Sequence, residues 1–214
     1  MPRTRILDDD TVLDHAIALF WRRGYAGTSI RDVSEASGLG AAALYHRFGD
    51  KDGLFVEALR RYAEEGPAER MARFSALADP LAAVSGFLHE LADLSISDPE
   101  RRGCFLVNTA LDGAATVPGA RGLARARLDE MKDFFRAQVC RAEAAGRLSP
   151  DADPDALAES LLACALAMRV LARIDPDPGR LRRLVDAALA PLLPREARPP
   201  HRPPSLSGKG APAP

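Results

Sequence analysis

Apolar side chains recur at three- and four-residue spacing along almost all of this 214-residue chain, and no convincing run of alternating β-branched residues interrupts them. That periodicity constrains the fold more than any other feature. Each segment must bury one helical stripe, so the chain is predicted to be all-α, with about nine helices. The first covers 11–23, with Leu13, Ala16, Ile17 and Phe20 on one face. Asp8, Asp9 and Asp10 lie ahead of it, where carboxylates suit the positive end of the helix dipole, and Gly24 ends it. Short helices over 29–37, capped by Thr28 or Ser29, and over 41–48 flank the turn Gly38-Leu39-Gly40. Asp50 caps a longer helix over 51–77 that carries Leu54, Phe55, Ala58, Leu59 and Tyr62. Gly66-Pro67 should kink or interrupt it, because proline lacks a donor and clashes with the preceding turn.

A second set of helices is expected after Asp79-Pro80: 81–94, 104–111, 119–145 (ended by Gly146), 153 to about 173, and 177–193. Asp153-Pro154 and Asp177-Pro178 each supply an N-cap followed by a proline at the first helical position. The expected layout is a small helical unit over 1–50, a connecting helix over 51–77 and a larger helical domain over 79–193. A tail over 194–214 has seven prolines and little apolar content, and is expected to be disordered.

Composition narrows the function. The chain has 29 basic and 30 acidic side chains, a net charge of −1, so it does not bind polyanions by bulk charge; any nucleic-acid site is a local patch. The longest strongly apolar run, 161–168, is far shorter than the roughly 20 residues of a membrane span. The acidic N-terminus shows no signal peptide, and Cys104, Cys140 and Cys164 form no CxxC. A cytoplasmic protein without a membrane partner is expected. There is no GxSxG, HExxH, phosphate loop or metal-spaced Cys/His set, so no enzyme, cofactor or metal is predicted.

The stretch GYAGTSIRDVSEASGLGAAALYHRFGDK, residues 24–51, carries the most information. Two helices of about eight residues meet at Gly38, which can take the positive φ of a reversal, and Ser34 is small enough for a close crossing. Ile30, Val33, Leu39, Leu44 and Phe48 are spaced to form a small core with Leu13, Ile17 and Phe20. Turn chemistry alone also fits an ordinary helical hairpin. The polar residues favour DNA: Thr28, Ser29, Arg31, Tyr45, His46, Arg47 and Lys51 supply hydroxyl, imidazole and cationic donors for phosphate oxygens, and Arg3 and Arg5 sit on an N-terminal arm. Lys51 opens a helix, so a phosphate there meets both its charge and the helix N-terminus. Residues 1–60 nonetheless hold eight basic and nine acidic groups, so the argument rests on placement rather than on charge.

Residues 11–62 closely resemble the DNA-binding domain of the TetR family of bacterial transcriptional repressors, through LF..RGY.GTSIRDV, the G-L turn and ALYHRFGDKDGLF. The segment RGCFLVNTALD, residues 102–112, resembles one found in a subset of that family. The resemblance implies a homodimer that binds a near-palindromic double-stranded operator, with the helix over 41–48 in the major groove. It places Thr28, Ser29, Tyr45, His46 and Lys51 on phosphates and Gly40, Ala41 and Ala42 nearest the base edges. Gly40 stands where the family commonly has a capping serine and Ala41 where it has a lysine, so binding should be weaker and readout partly apolar.

The resemblance makes Leu157, Leu161, Ala165, Leu181, Leu184, Val185, Ala188 and Leu192 a candidate dimer interface, although two amphipathic helices can equally be core. It also implies a small-molecule effector in a mostly apolar pocket. Candidate linings are Phe87, Phe105, Met131, Phe134, Phe135 and Met168, with Asn108, His89 and Arg169 as polar anchors. Cys104, after Gly103 and beside Arg101 and Arg102, raises the alternative of a redox- or electrophile-sensing regulator; a small buried hydrophobe is the commoner role of such a thiol. A helical dimerisation protein that has lost DNA binding is a further alternative.

Overall fold

Nine helices build the described part of the chain, residues 8–149 and 152–193 of a computed structural model, with no strand among them. The first, α1 (Asp9–Arg23), starts two residues earlier than the apolar pattern suggested because the Asp8 carboxylate accepts the Asp10 N–H and caps it. α2 (Ile30–Ser37) is opened by a capping box: Ser29 Oγ accepts the Asp32 N–H at 3.1 Å and the Asp32 carboxylate accepts the Ser29 N–H at 2.7 Å. Gly38 then turns the chain at φ 74°, ψ 5°, its N–H donating to Ser34 O at 2.9 Å. α3 (Ala41–Phe48) follows, with Gly40 at its N-cap and no side-chain cap.

The rod after α3 resolves the question posed by Pro67. α4 (Lys51–Ala63), capped by Asp50, passes through a π-helical turn (Glu64–Ala68) into α5 (Glu69–Ser75). Pro67 cannot donate to the carbonyl four residues back, and the wider turn carries its ring past the clash without ending the helix. Counting α4 and α5 as one rod gives the nine helices. The others are α6 (Pro80–Ser97), α7 (Phe105–Leu111), α8 (Ala120–Ala144), α9 (Pro154–Ile174) and α10 (Pro178–Leu189). The carboxylates of Asp79, Asp153 and Asp177 each accept a first-turn N–H, and a proline follows each of them. The last helix is shorter than 177–193: Pro191 turns its end into a 3-10 segment (Ala190–Leu192).

Two apolar clusters hold these helices together. The first joins Val12, Phe20, Val33, Leu44, Leu54, Phe55 and Leu59 of α1–α4 to Phe105, Leu106 and Val107 of α7 and to Ala120 and Ala124 of α8. The second joins Phe74, Phe87, Phe134, Phe135, Leu161, Met168, Leu181 and Val185. The first cluster therefore crosses the boundary drawn at 50/79, because the apolar face of α4 left open by α1–α3 is covered by α7. The arm with Arg3 and Arg5 and the tail over 194–214 lie outside the described residues.

Candidate functional site

Two surfaces stand out, one at the start of the α4–α5 rod and one beside the π turn in its middle. At the α2–α3 end, Ala42, Tyr45 and His46 project from α3 into solvent, with Tyr45 52% exposed although it is a large aromatic residue. Gly40 is also exposed, whereas Ala41 is half-buried against the first cluster. Lys51, at the first position of α4, lies over the Tyr25 ring at 4.1 Å, and Tyr25 donates a short hydrogen bond to Asp52. That bond, together with partial burial, pushes the Tyr25 hydroxyl up to about 12. The ring is thus fixed as a platform beneath the Lys51 ammonium.

Other predicted donors are engaged within the protein. Arg31 pairs with Glu35 at 2.8 Å and Arg47 with Asp9 at 2.7 Å. The Arg31–Glu35 pair is largely in water, so little holds it against a competing phosphate, whereas the Arg47 side chain is only 25% exposed. The Ser29 hydroxyl serves its capping box, and this contact holds the Asp32 carboxyl below its usual range. Thr28 requires a correction. Its side chain is buried, with Oγ1 3.0 Å from the Gly24 carbonyl and 3.4 Å from that of Leu19. The hydroxyl fastens the end of α1 rather than facing outward, as expected of a phosphate donor.

Beside the π turn, α1, α4 and α5 meet α6–α9 around a cavity of about 320 Å3. Its walls include Trp21, Tyr62, Pro67, Leu91, Met131 and Arg169. Of the expected apolar linings, only Met131 is there. Phe87, Phe134, Phe135 and Met168 belong to the second cluster, with ring centroids 5.1–5.2 Å apart among the three phenylalanines. Phe105 faces Phe55 and Tyr62 in the first cluster. These five residues are core because neighbouring helices pack directly on them. Asn108 is buried but donates to the Arg102 carbonyl at 2.8 Å, and so satisfies the loop before α7 instead of an anchor role in this cavity. His89 is exposed on α6, with Nδ1 2.8 Å from the Ser85 carbonyl.

Trp21 is the wall residue that the sequence reading missed. It belongs to α1, yet its Nε1 donates to the Arg102 carbonyl at 3.2 Å, the Arg102 guanidinium lies over its ring at 4.3 Å, and Tyr62 meets it edge-on at 4.8 Å. The signal available was modest: a lone tryptophan next to an amphipathic stripe. Cys104 also lines the cavity, at the N-cap of α7, where its thiol accepts from the Tyr62 hydroxyl at 3.7 Å. The arginines meant to favour its thiolate point elsewhere: Arg101 reaches the Ile174 carbonyl and Arg102 pairs with Asp98. Burial and the nearby Cys104 raise the Tyr62 hydroxyl well above its usual range, so it remains a donor.

The expected dimer face also needs correction. Leu161, Ala165, Leu181, Val185 and Leu192 are 0–2% exposed within the second cluster, so they are the core of one protomer. Leu157, Leu184 and Ala188 are half-buried at its edge. What α9 leaves outward is another stripe, spaced alternately by four and three residues: Ala156, Ser160, Ala163 and Ile174 are exposed, and Ala167 and Val170 between them are half-buried.

A turn-linked helix pair with an exposed second helix, carried on a rod that runs past a walled cavity in a helical domain, defines a helix-turn-helix regulator with a sensing domain. Comparison with known proteins agrees. Residues 12–58 match the bacterial regulatory proteins of the tetR family and residues 80–188 the tetracyclin repressor-like C-terminal domain. Over 194 residues, 90% of this chain and 100% of the relative, it is 30% identical to the HTH-type transcriptional regulator YezE of Bacillus subtilis strain 168. It is also 30% identical to the HTH-type transcriptional repressor ComR of Escherichia coli K12, over 87% of this chain and 90% of that one. A solved cysteine mutant of the TetR family transcriptional regulator CifR, complexed with a 26-base-pair double-stranded operator, superposes with a TM-score of 0.78 at 31% identity, covering 92% of this chain and 100% of that one. The chain belongs to the TetR family of bacterial transcriptional regulators.

Proposed function

We propose that the chain represses transcription as a homodimer on a near-palindromic operator and is released by a small effector bound in the cavity between α1, α4 and α6–α9. One observation carries this reading: Trp21 and the π turn wall the same cavity as Leu91, Met131 and Arg169. Filling that space acts on the base of α1 and on the α4–α5 rod, which position α3. An effector that fits better when the rod is displaced shifts the dimer away from the groove spacing. Tyr45, His46 and Lys51 are assigned to phosphates and Ala42 to base edges, where its methyl suits a thymine methyl. Ser29, Arg31, Gly40 and Ala41 flank them.

The outward stripe of α9, with Leu184, Ala187 and Pro191 beside α10, is the surface assigned to the partner protomer. Its small side chains let two helix pairs approach closely in a four-helix packing. An Ala163→Glu substitution, exposed in the protomer, should yield a folded monomer by sedimentation equilibrium; an unchanged dimer removes this face. A mobility shift on the DNA flanking the gene, in low and high salt, tests the repressor reading. A shift that weakens steeply with salt supports it, and none at low salt overturns it.

A further inference from the structure

Three arginines line the cavity, and their charges are not equally compensated. Arg70 pairs with Glu90 at 2.8 Å, and Arg102 pairs with Asp98 at 3.3 Å and Glu100 at 3.4 Å. Arg169 is only 8% exposed, and among the described residues it has no carboxylate partner. Its guanidinium donates to the Ser95 hydroxyl at 2.9 Å and makes a short contact with the Gly103 carbonyl. Those two neutral acceptors hold its orientation but leave its charge unneutralised in a mainly apolar wall. A buried cation without a counter-charge is costly, and an anionic ligand in the cavity would offset that cost.

The loop that fixes Arg169 is built for close approach. Gly103 takes φ 70°, and a Cβ there would lie 2.9 Å from the Arg169 carbonyl. α9 and the loop before α7 therefore touch backbone to backbone, and Arg169 is clamped between them. Tyr62 lies on the same cavity, with its hydroxyl donated to the Cys104 thiol.

We propose that the effector is an amphipathic organic monoanion: one carboxylate on a small apolar body, with the carboxylate meeting Arg169. This rests on the repressor reading and specifies the ligand class of its cavity. The single uncompensated cation selects a monoanion over a di- or trianion such as a phosphate ester, because the other two cavity arginines are already paired with carboxylates. The volume lies at the lower end of the roughly 300–1,000 Å3 of ligand pockets, which suits one ring or a short alkyl chain. Leu91, Leu94, Leu128, Met131 and Leu166 receive that body.

Trp21 provides the readout, since it is the only tryptophan and lies on the cavity wall. Its fluorescence in the full-length protein should be titrated with phenylacetate and hexanoate and with the isosteric neutral phenylacetamide and hexanamide. The carboxylates should bind at least about tenfold more tightly, the worth of a charge-assisted hydrogen bond. Arg169→Met should erase that preference. Equal or tighter binding of the amides overturns the proposal, as does the lack of any response to all of these probes at millimolar concentration. If Arg169→Met does not fold, the wild-type carboxylate–amide comparison decides alone. A mobility shift run in parallel separates the two readings. Carboxylate binding without loss of the operator complex leaves the anion site standing and removes induction, whereas a bare protein that shifts no DNA removes the repressor reading alone.

Discussion

The two aromatic clusters have opposite mechanical characters. Around Phe87, Phe134 and Phe135 the rings touch one another, Phe74 at the end of the rod and buried aliphatics, and none of these rings lines the cavity. Around Phe55, Tyr62 and Trp21 the rings come from α1 and α4, abut Phe105 of α7, and border a cavity. Rings packed on all sides can only be destabilised. Rings with empty space beside them, as Trp21 and Tyr62 have, can be rearranged by filling that space. Stability and signalling thus reside in different places.

The largest expected effect tests the filled side. Phe135 is 0% exposed, and Phe135→Ala should cost about 3–5 kcal/mol through lost transfer energy and a residual cavity. Urea unfolding measures it. Trp21→Ala should cost less, because Trp21 is half-buried and already borders a void; equal losses would abolish the distinction between the clusters.

Lys51 tests the exposed end of the rod. Replacing it with methionine keeps the stem over Tyr25 but removes one cation. Operator affinity should fall, and the slope of log affinity against log salt should flatten by about 0.9, as for one lost phosphate contact. An unchanged slope would place Lys51 off the DNA.

These two regions also differ in how legible they were in the sequence. The α2–α3 unit spans fewer than thirty residues, and its determinants are local: the Ser29–Asp32 capping box, the αL turn at Gly38, and the apolar spacing of Ile30, Val33 and Leu44. The cavity draws walls from α1, the π turn and α6–α9, so no local pattern marks it. Helical periodicity says which face of Phe134 or Leu161 is buried, but not whether the neighbour is a helix, a ligand or a second protomer. Hence five of six apolar pocket candidates and five of eight interface candidates turned out to be core. Arg169 stood out because a cation at the edge of an apolar stripe is unusual wherever it points.

Pro67 tests the shared side. Pro67→Ala restores the missing N–H and should let the π turn relax toward regular α-helix, turning the two ends of the rod relative to each other. The effector concentration for half-release should change by more than the operator affinity of the bare protein. Superimposable release curves, measured by fluorescence anisotropy on labelled operator, would exclude the rod as the lever.

Tyr25 gives a smaller, pH-dependent effect. Its folded-state value, about 12, lies above its unfolded value of 10.0. Its contribution is therefore complete below pH 10 and lost as pH rises toward 12. The stability difference between wild type and Tyr25→Phe should be flat on the neutral side and close across that window. No difference between the two proteins at neutral pH would leave the tyrosine only a packing ring.

The smallest effect lies at Gly40, the N-cap of α3. The position is open, since a Cβ there meets nothing within 4 Å, and its φ of −59° suits any residue. Gly40→Ser should stabilise by only a few tenths of a kcal/mol, the usual difference between serine and glycine caps, because its hydroxyl can accept a first-turn N–H now left without a side-chain partner. Hydrogen exchange in α3 is the sensitive measurement, since global unfolding barely resolves so small a change. Protection should rise in Ala42 and Ala43 and remain unchanged around Phe135. A gain spread evenly over both clusters would mean that the two halves unfold as one unit, leaving the mechanical difference between them without a counterpart in local stability.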